Sequence, residues 1–304
     1  MSLINSALIT YASKLKPAAG AIGRIINFLF IKPSGFFLDA LCPAAHASEI
    51  HDSVKSANIE KIRELLKAKN CAPDETDDDG WTPLHFAAVF GDIEIAVLLI
   101  ENGANVNAQS KDGSAPLHLA VENNELGLAE FLISKNACVN TRNLDGETPL
   151  HLAVNLEYYQ FSELLIKNNA DITLVENLGE TALHLAARNG FIQMAESFIA
   201  YGAEVNARNR YGCTPLFHAI NMQHREVIDL LLSKNADVNI GDNTGWTLVH
   251  EAVEKEDAEI LELLIAHGAE VNVKDKNGET PINISSQREA SDITEILESH
   301  GAKE

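Results

Sequence analysis

Histidines at 85, 118, 151 and 184 stand 33 residues apart, and regularly repeated imidazoles are what a metal centre or an acid–base site would use. The spacing speaks against both uses. If each 33-residue step advances the chain by one helix-packing distance, successive rings lie about 8–10 Å apart, whereas metal ligands must each sit about 2 Å from their ion. One ring per unit, in one register, reads as a structural histidine hydrogen-bonded near a helix start. His250-Glu251-Ala252-Val253-Glu254 approaches the spacing of a zinc-protease helix, but Glu254 stands where the second imidazole is required. His224 is likewise read as structural. The cysteines Cys42, Cys71, Cys138 and Cys213 form no CxxC pair. Cys71 and Cys138 sit two units apart, roughly 16–20 Å by helix spacing, which is beyond disulfide reach. Cys213 falls at a loop tip, so these three are expected as free thiols. No nucleophile elbow, phosphate-binding loop or dinucleotide-binding glycine pattern occurs. The sequence therefore assigns no catalytic residue, no cofactor and no metal ligand, and the chain is expected not to be an enzyme.

The elements that carry these residues repeat with them. Glycines at 80, 113, 146, 179, 212, 245 and 278 fall at 33-residue steps, and so does a second series, Asn70, Gly103, Asn136, Asn169, Gly202, Asn235, Gly268 and Gly301. Thr82-Pro83-Leu84-His85 has the chemistry of a helix start, with threonine as N-cap and proline at the first helical position. Ala87 and Ala88 let a neighbouring helix approach, and Gly91 breaks the short helix. Ile95, Leu98 and Leu99 then recur at i, i+3 and i+4 on one face of a second helix. Gly103 can take the left-handed conformation that ends that helix. Val106-Asn107 leads into a polar loop that turns at the next glycine of the first series.

Gly80-Trp-Thr-Pro-Leu-His85, Gly146-Glu-Thr-Pro-Leu-His151 and Gly179-Glu-Thr-Ala-Leu-His184, with Gly103-Ala-Asn-Val-Asn107 and Gly202-Ala-Glu-Val-Asn206, resemble ankyrin repeats. The resemblance covers residues 48–304. It implies an all-α solenoid of paired antiparallel helices with hairpin-like connecting loops, capped at both ends and elongated rather than globular. Repeats start near 77, 110, 143, 176, 209 and 242, with a C-terminal repeat or cap at 275–304. Residues 48–74 read as an N-terminal cap, with Ile50 and Val54 on one helix and Ile59, Ile62, Leu65 and Leu66 on the next. Ser285, Ser286 and Gln287 replace the usual Ala-Ala pair, as a polar closing face requires. Ala182 and Leu248 stand in for the proline, and Phe217 and Asn283 for the histidine. Glu157-Tyr158-Tyr159 replaces the break between helices in the third repeat, where a different junction is expected.

The resemblance implies a non-catalytic scaffold that binds a protein partner on the concave face of the stack. By register the face carries Asp78, Asp79, Trp81, Val89 and Phe90 in the first repeat, Leu144, Glu147 and Leu156 in the third, Arg210, Tyr211 and Met222 in the fifth, and Trp246 in the sixth. Trp81, Phe90, Leu144, Leu156, Tyr211, Met222 and Trp246 are expected to face solvent, where aromatic side chains serve as binding hot spots. Charge on the face is negative over repeats one to three and positive beyond them. Replacing Trp81 and Phe90 by alanine is accordingly expected to weaken partner binding with little loss of stability.

Composition sets the outer bounds. The chain has 304 residues, 46% of them hydrophobic and 22% charged, as a soluble protein with a buried core does. A net charge of −21 argues against nucleic acid as a partner, since binding phosphates needs surplus cations. Residues 1–48 carry Lys14, Lys16, Arg24 and Lys32 against Asp39, so this segment is basic and the rest strongly acidic. The boundary between the two falls at residues 47 and 48. Residues 1–47 read as a leader cleaved near Ala47, a membrane-associating or organelle-type segment, or a tail. Membrane contact is expected through that segment alone, although Arg24, Lys32 and Asp39 interrupt any run long enough to span a bilayer. A monomer is expected, either cytoplasmic or exported after cleavage. The alternative function is an exported effector or toxin-associated factor whose repeats grip a host or foreign protein.

Overall fold

The structure, a computed structural model, describes residues 49–68 and 71–303, all within the unit Ala47–Glu304. The readings for residues 1–47, cleavage near Ala47 included, and those for Cys42 and Asn70 lie outside the described residues. Among the described residues there are sixteen helices and no strand. They come in eight pairs. The cap pairs α1 (Glu49–Lys55) with α2 (Ile59–Ala68). The repeats follow as α3 (Pro83–Phe90) with α4 (Ile93–Glu101), α5 (Pro116–Glu122) with α6 (Leu126–Ser134), and α7 (Pro149–Asn155) with α8 (Tyr159–Lys167). Next come α9 (Ala182–Asn189) with α10 (Ile192–Ala200), α11 (Pro215–Asn221) with α12 (Arg225–Ser233), and α13 (Leu248–Glu254) with α14 (Ala258–Ala266). The last pair is α15 (Pro281–Gln287) with α16 (Ser291–Ser299). First helices pack on first helices of the flanking units and second helices on second helices, and each helix also packs on its own partner. This is a solenoid, in which an apolar face is hidden only by the next unit.

Local chemistry explains each element. The residue before each repeat's first helix, threonine everywhere except Ala115, has extended φ/ψ, and in most repeats a proline fills the first helical position. Ala87, Ala120, Ala153, Ala186, Ala219 and Ala252 are all 0% exposed, which is why nothing larger than a methyl group stands there. The second helices bury their stripe, for instance Ile95, Leu98 and Leu99 on α4 and Val227, Ile228, Leu231 and Leu232 on α12. Phe161 on α8 and Phe198 on α10 are the largest fully buried side chains.

The third repeat corrects one expectation. Its helices join as the others do, because Glu157 takes φ 60°, the left-handed conformation held by Gly91 (68°) and Gly190 (76°) at the same register. Asn124, Gln223, Glu256 and Glu289 do likewise. A non-glycine residue in this region costs about 1–2 kcal/mol, which each unit offsets through the packing of both its helices.

The terminal units differ from the repeats between them. Ile50, Val54, Ile62, Leu65 and Leu66 are buried in the first unit. In the last, Ser285 is buried and bonded to the Ile282 carbonyl (3.0 Å) and to Thr294 (2.9 Å), while Ser286 and Gln287 are exposed.

The loops build a layer of their own. Each closes on itself, as where Asp77 N–H donates to Trp81 O and Asn143 N–H to Glu147 O (3.0 Å each). Each tip then donates to the tip before it: Lys111 to Asp79, Leu144 to Asp112, Asn177 to Asp145, Arg210 to Leu178, Asn243 to Tyr211 and Lys276 to Thr244, at 2.8–2.9 Å. Backbone groups that helices cannot use are satisfied between repeats, which fixes the tips relative to one another. Glycine is needed where the tips meet: a Cβ on Gly212 (φ 83°) would stand 2.8 Å from Asn243 N.

Candidate functional site

The repeated histidines have a common geometry. Backbone N–H of Thr82, Ala115, Thr148, Thr181 and Thr247 donates to Nδ1 of His85, His118, His151, His184 and His250 at 3.0–3.2 Å. A ring nitrogen that accepts from an amide carries no proton, so each ring is a neutral tautomer with hydrogen on Nε2. That N–H donates to a carbonyl of the next repeat: Ser114, Glu147, Glu180, Cys213 and Glu279, at 3.0–3.3 Å. Both nitrogens are occupied, which leaves no lone pair for a metal. Burial holds His151 and His184 down at about 4 and lowers His85 and His250 as well. Among the described residues no group of His, Cys, Asp and Glu is placed to hold a metal ion.

The fifth repeat breaks this series and builds something the sequence did not announce. Phe217 holds the histidine position, and His218 turns back into the preceding interface. Glu180, buried there, accepts from Arg188 (2.6 Å) and contacts His218 Nε2 (3.0 Å). Asn209 Nδ2 also approaches His218 Nε2 (3.2 Å), and the His184 ring lies edge-on at 5.8 Å. Burial pushes Glu180 upward, but His218 and Arg188 outweigh it and its carboxyl stays below the usual range. The only sequence signal was the transposed pair Phe217-His218.

The residues singled out for partner binding divide into three groups. Asp78, Asp79, Leu144, Arg210, Tyr211, Phe90 and Met222 are exposed. Leu144, Tyr211 and Met222 show 70%, 59% and 49% of their surface, and Leu178, on the tip between Leu144 and Tyr211, shows 44%. Val89, Glu147 and Leu156 are partly buried, and Glu147 holds Asn143 and Asn155 through its carboxylate (3.1 and 3.2 Å). The two tryptophans differ from expectation. Trp81 lies along its own helix, 5.1 Å from Phe86 and 6.1 Å from His85. Trp246 stacks on His250 at 5.1 Å and donates through Nε1 to Glu251 (3.0 Å). Both rings are partly buried because the position after the tip glycine places a side chain beside the structural histidine, not away from the stack. Truncating Trp81 therefore removes packing as well as surface.

Leu144, Leu178 and Tyr211 stand on three successive tips joined by hydrogen bonds, Leu178 and Tyr211 at the same place in their tips and Leu144 one position earlier in its own. Phe90 and Met222 end α3 and α11, four repeats apart, and form no common patch with each other. Acidic side chains crowd the exposed sides of second helices, as with Glu226 and Asp229 on α12, Glu259 and Glu262 on α14, and Asp292, Glu295 and Glu298 on α16.

A family model described as ankyrin repeats (3 copies) matches residues 25–110, 50–143, 105–176, 150–242 and 230–304. The chain belongs to the ankyrin-repeat family. Similar proteins include protein phosphatase 1 regulatory subunit 27 of Mus musculus, 37% identical over 79 residues, which are 26% of this chain and 50% of that protein. DNA-binding protein RFXANK of Homo sapiens is 28% identical over 100 residues, 33% of this chain and 38% of that protein. The matched stretches span half or less of these relatives' lengths.

Ankyrin repeats place one further clamp in this chain. Asn107, Asn140, Asn206, Asn239 and Asn272 accept through Oδ1 from backbone N–H of Cys138, Asp171, Asp237, Glu270 and Lys303 in the next unit, at 2.7–2.9 Å. The recurring Val-Asn of the repeat was the signal, and it reads as loop polarity until the neighbour's amide is seen. Cys71, Cys138 and Cys213 are free. Burial pushes the Cys213 thiol up to about 11, so it is no nucleophile at neutral pH.

Proposed function

We propose that this protein acts as a non-catalytic scaffold, binding a protein partner along the loop tips and first-helix ends that form the concave face of the stack. The observation that carries the reading is the exposure of Leu144, Leu178 and Tyr211 on adjoining tips held rigid by backbone hydrogen bonds. Exposed apolar side chains fixed in place lose little entropy on binding, and that favours a partner over solvent. The relatives support a binding role at the level of the family: one is by name a regulatory subunit, the other a DNA-binding protein. The net charge of −21 favours protein over nucleic acid here.

The test compares variants that leave the core intact. Leu144→Asp with Tyr211→Asp is expected to weaken partner affinity at least tenfold, with an unchanged melting temperature. Tyr201→Asp, on an exposed residue at the end of α10, is the control and is expected to bind as the parent does. Equal affinities for all three proteins would remove the tips from the binding surface.

A further inference from the structure

Resting on that reading of the tip row, we propose that the row meets the tip row of a second copy of this chain, running antiparallel about a two-fold axis at the fourth tip. The monomer expected from sequence gives way to a weak homodimer because the row is complementary to its own reverse.

Uniform spacing comes first. Every tip is joined to the tip before it by the same bond, from the first exposed residue of one to the carbonyl of the second exposed residue of the other, at 2.8–2.9 Å. The fourteen exposed residues, two on each of seven tips, therefore follow one another along the row in chain order. A row built on one repeated step coincides with itself, tip for tip, when turned end for end. In a two-fold interface each contact occurs twice, once in each direction. The axis falls between Asn177 and Leu178, the middle two of the fourteen.

Side chains select this register. Leu144 of one copy faces Tyr211 of the other, and Asp145 faces Arg210, while Leu178 of each copy lies beside the axis. Further out, Asp79 faces Lys276, and Lys111 and Asp112 face Thr244 and Asn243. No like charges meet. Leu144, Leu178 and Tyr211, all exposed, form an apolar centre with charged pairs around it, the usual anatomy of an interface. Sliding one row by a residue in either direction sets Asp145 against Tyr211 or Leu178 and loses the pair with Arg210. Parallel rows place Asp79, Asp112 and Asp145 each against its own copy, and like charges across an interface repel.

The net charge of −21 leaves this contact open. Much of the acid stands on second helices such as α12, α14 and α16, a helix layer behind the first helices. Exposed charges further apart than about 8 Å are largely screened at 0.15 M salt. Size sets the strength. A stable interface uses about 20–30 residues a side, so fourteen make a weak pair, half-formed on the order of 10–100 µM.

Sedimentation equilibrium of the full chain at about 0.15 M salt tests this. The parent is expected to show a monomer–dimer equilibrium. Asp145→Arg alone and Arg210→Asp alone are each expected to weaken it at least tenfold, since like charges then meet at both symmetric pairs. Both changes in one chain are expected to restore it, and an equal mixture of the two single variants is expected to pair as the parent does. Thermal melting checks that every variant stays folded. A chain that remains monomeric to about 1 mM, or a dimer indifferent to these charge changes, would overturn the proposal. The scaffold reading is judged separately, by loss of a different protein partner in Leu144→Asp with Tyr211→Asp, and it survives either of those results.

Discussion

Replacing Phe198 by alanine is expected to destabilise the protein by about 3–5 kcal/mol, the usual cost of deleting a fully buried aromatic ring. Phe198 is 0% exposed on α10, the second helix of repeat four, which packs on α9 of its own repeat and on α8 and α12 of the flanking repeats. The neighbours cannot collapse into the gap, because the tips and the asparagine clamps hold successive units at a fixed spacing. Tyr201→Ala, three residues further on at a site 56% exposed, is expected to change stability by less than about 0.5 kcal/mol. The loss should also be local. In a stack whose units touch only their neighbours, hydrogen exchange in Phe198→Ala is expected to quicken first in repeats three to five, with α1 and α16 retaining their protection. Uniform loss across all repeats would mean that the unit behaves as one globular core.

Acid is expected to weaken the fold steeply. His151 and His184 titrate at about 4 in the folded chain, against about 6.5 when unfolded. Between those values the unfolded chain binds more protons, so stability falls as pH falls. At about 1.4 kcal/mol per unit, going from pH 7.5 to pH 5 removes about 2 kcal/mol for each ring, or about 4 kcal/mol together. His51, His85 and His250, also lowered by burial, act in the same direction. The physical cause is twofold: a buried ring resists charge, and a proton on Nδ1 would face the donating amide of the N-cap residue. Urea unfolding at pH 7.5 and pH 5.0 measures the effect. The last repeat shows how to remove it, since Asn283 accepts the Thr280 amide (3.2 Å) and hydroxyl (2.6 Å) in the histidine's place without titrating. A His151→Asn, His184→Asn double variant is expected to lose about 4 kcal/mol less than the parent over the same interval.

These two cases show where sequence suffices. Helix starts, the alanine seam, the second-helix stripe and both caps are local patterns of residue size and polarity, and Thr82-Pro83 or Ile95, Leu98 and Leu99 reveal them in one repeat. The structural role of His151 and His184 followed from spacing alone. What could not be read is the direction a side chain takes and whatever depends on a partner about one repeat away. The orientation of Trp81 and Trp246 is decided by the histidine beside each ring, so they lie partly buried where register alone puts them in solvent. The clamp of Asn107 on the Cys138 amide and the Glu180–His218 contact exist only once two repeats are stacked. Glu157 is the opposite case: its side chain suggests a different junction, yet tertiary packing imposes the left-handed backbone that glycine adopts freely elsewhere.

On the proposed function, one edge of the stack meets the partner. A photo-crosslinking amino acid placed singly at Leu144, Leu178, Tyr211, Tyr201 or Glu262 of the full chain, irradiated in the cells that make the protein, tests it most directly. One common protein adduct is expected from the three tip positions and none of it from Tyr201 or Glu262, both on second-helix surfaces. The same adduct from Tyr201 and Glu262, with none from the tips, would contradict it.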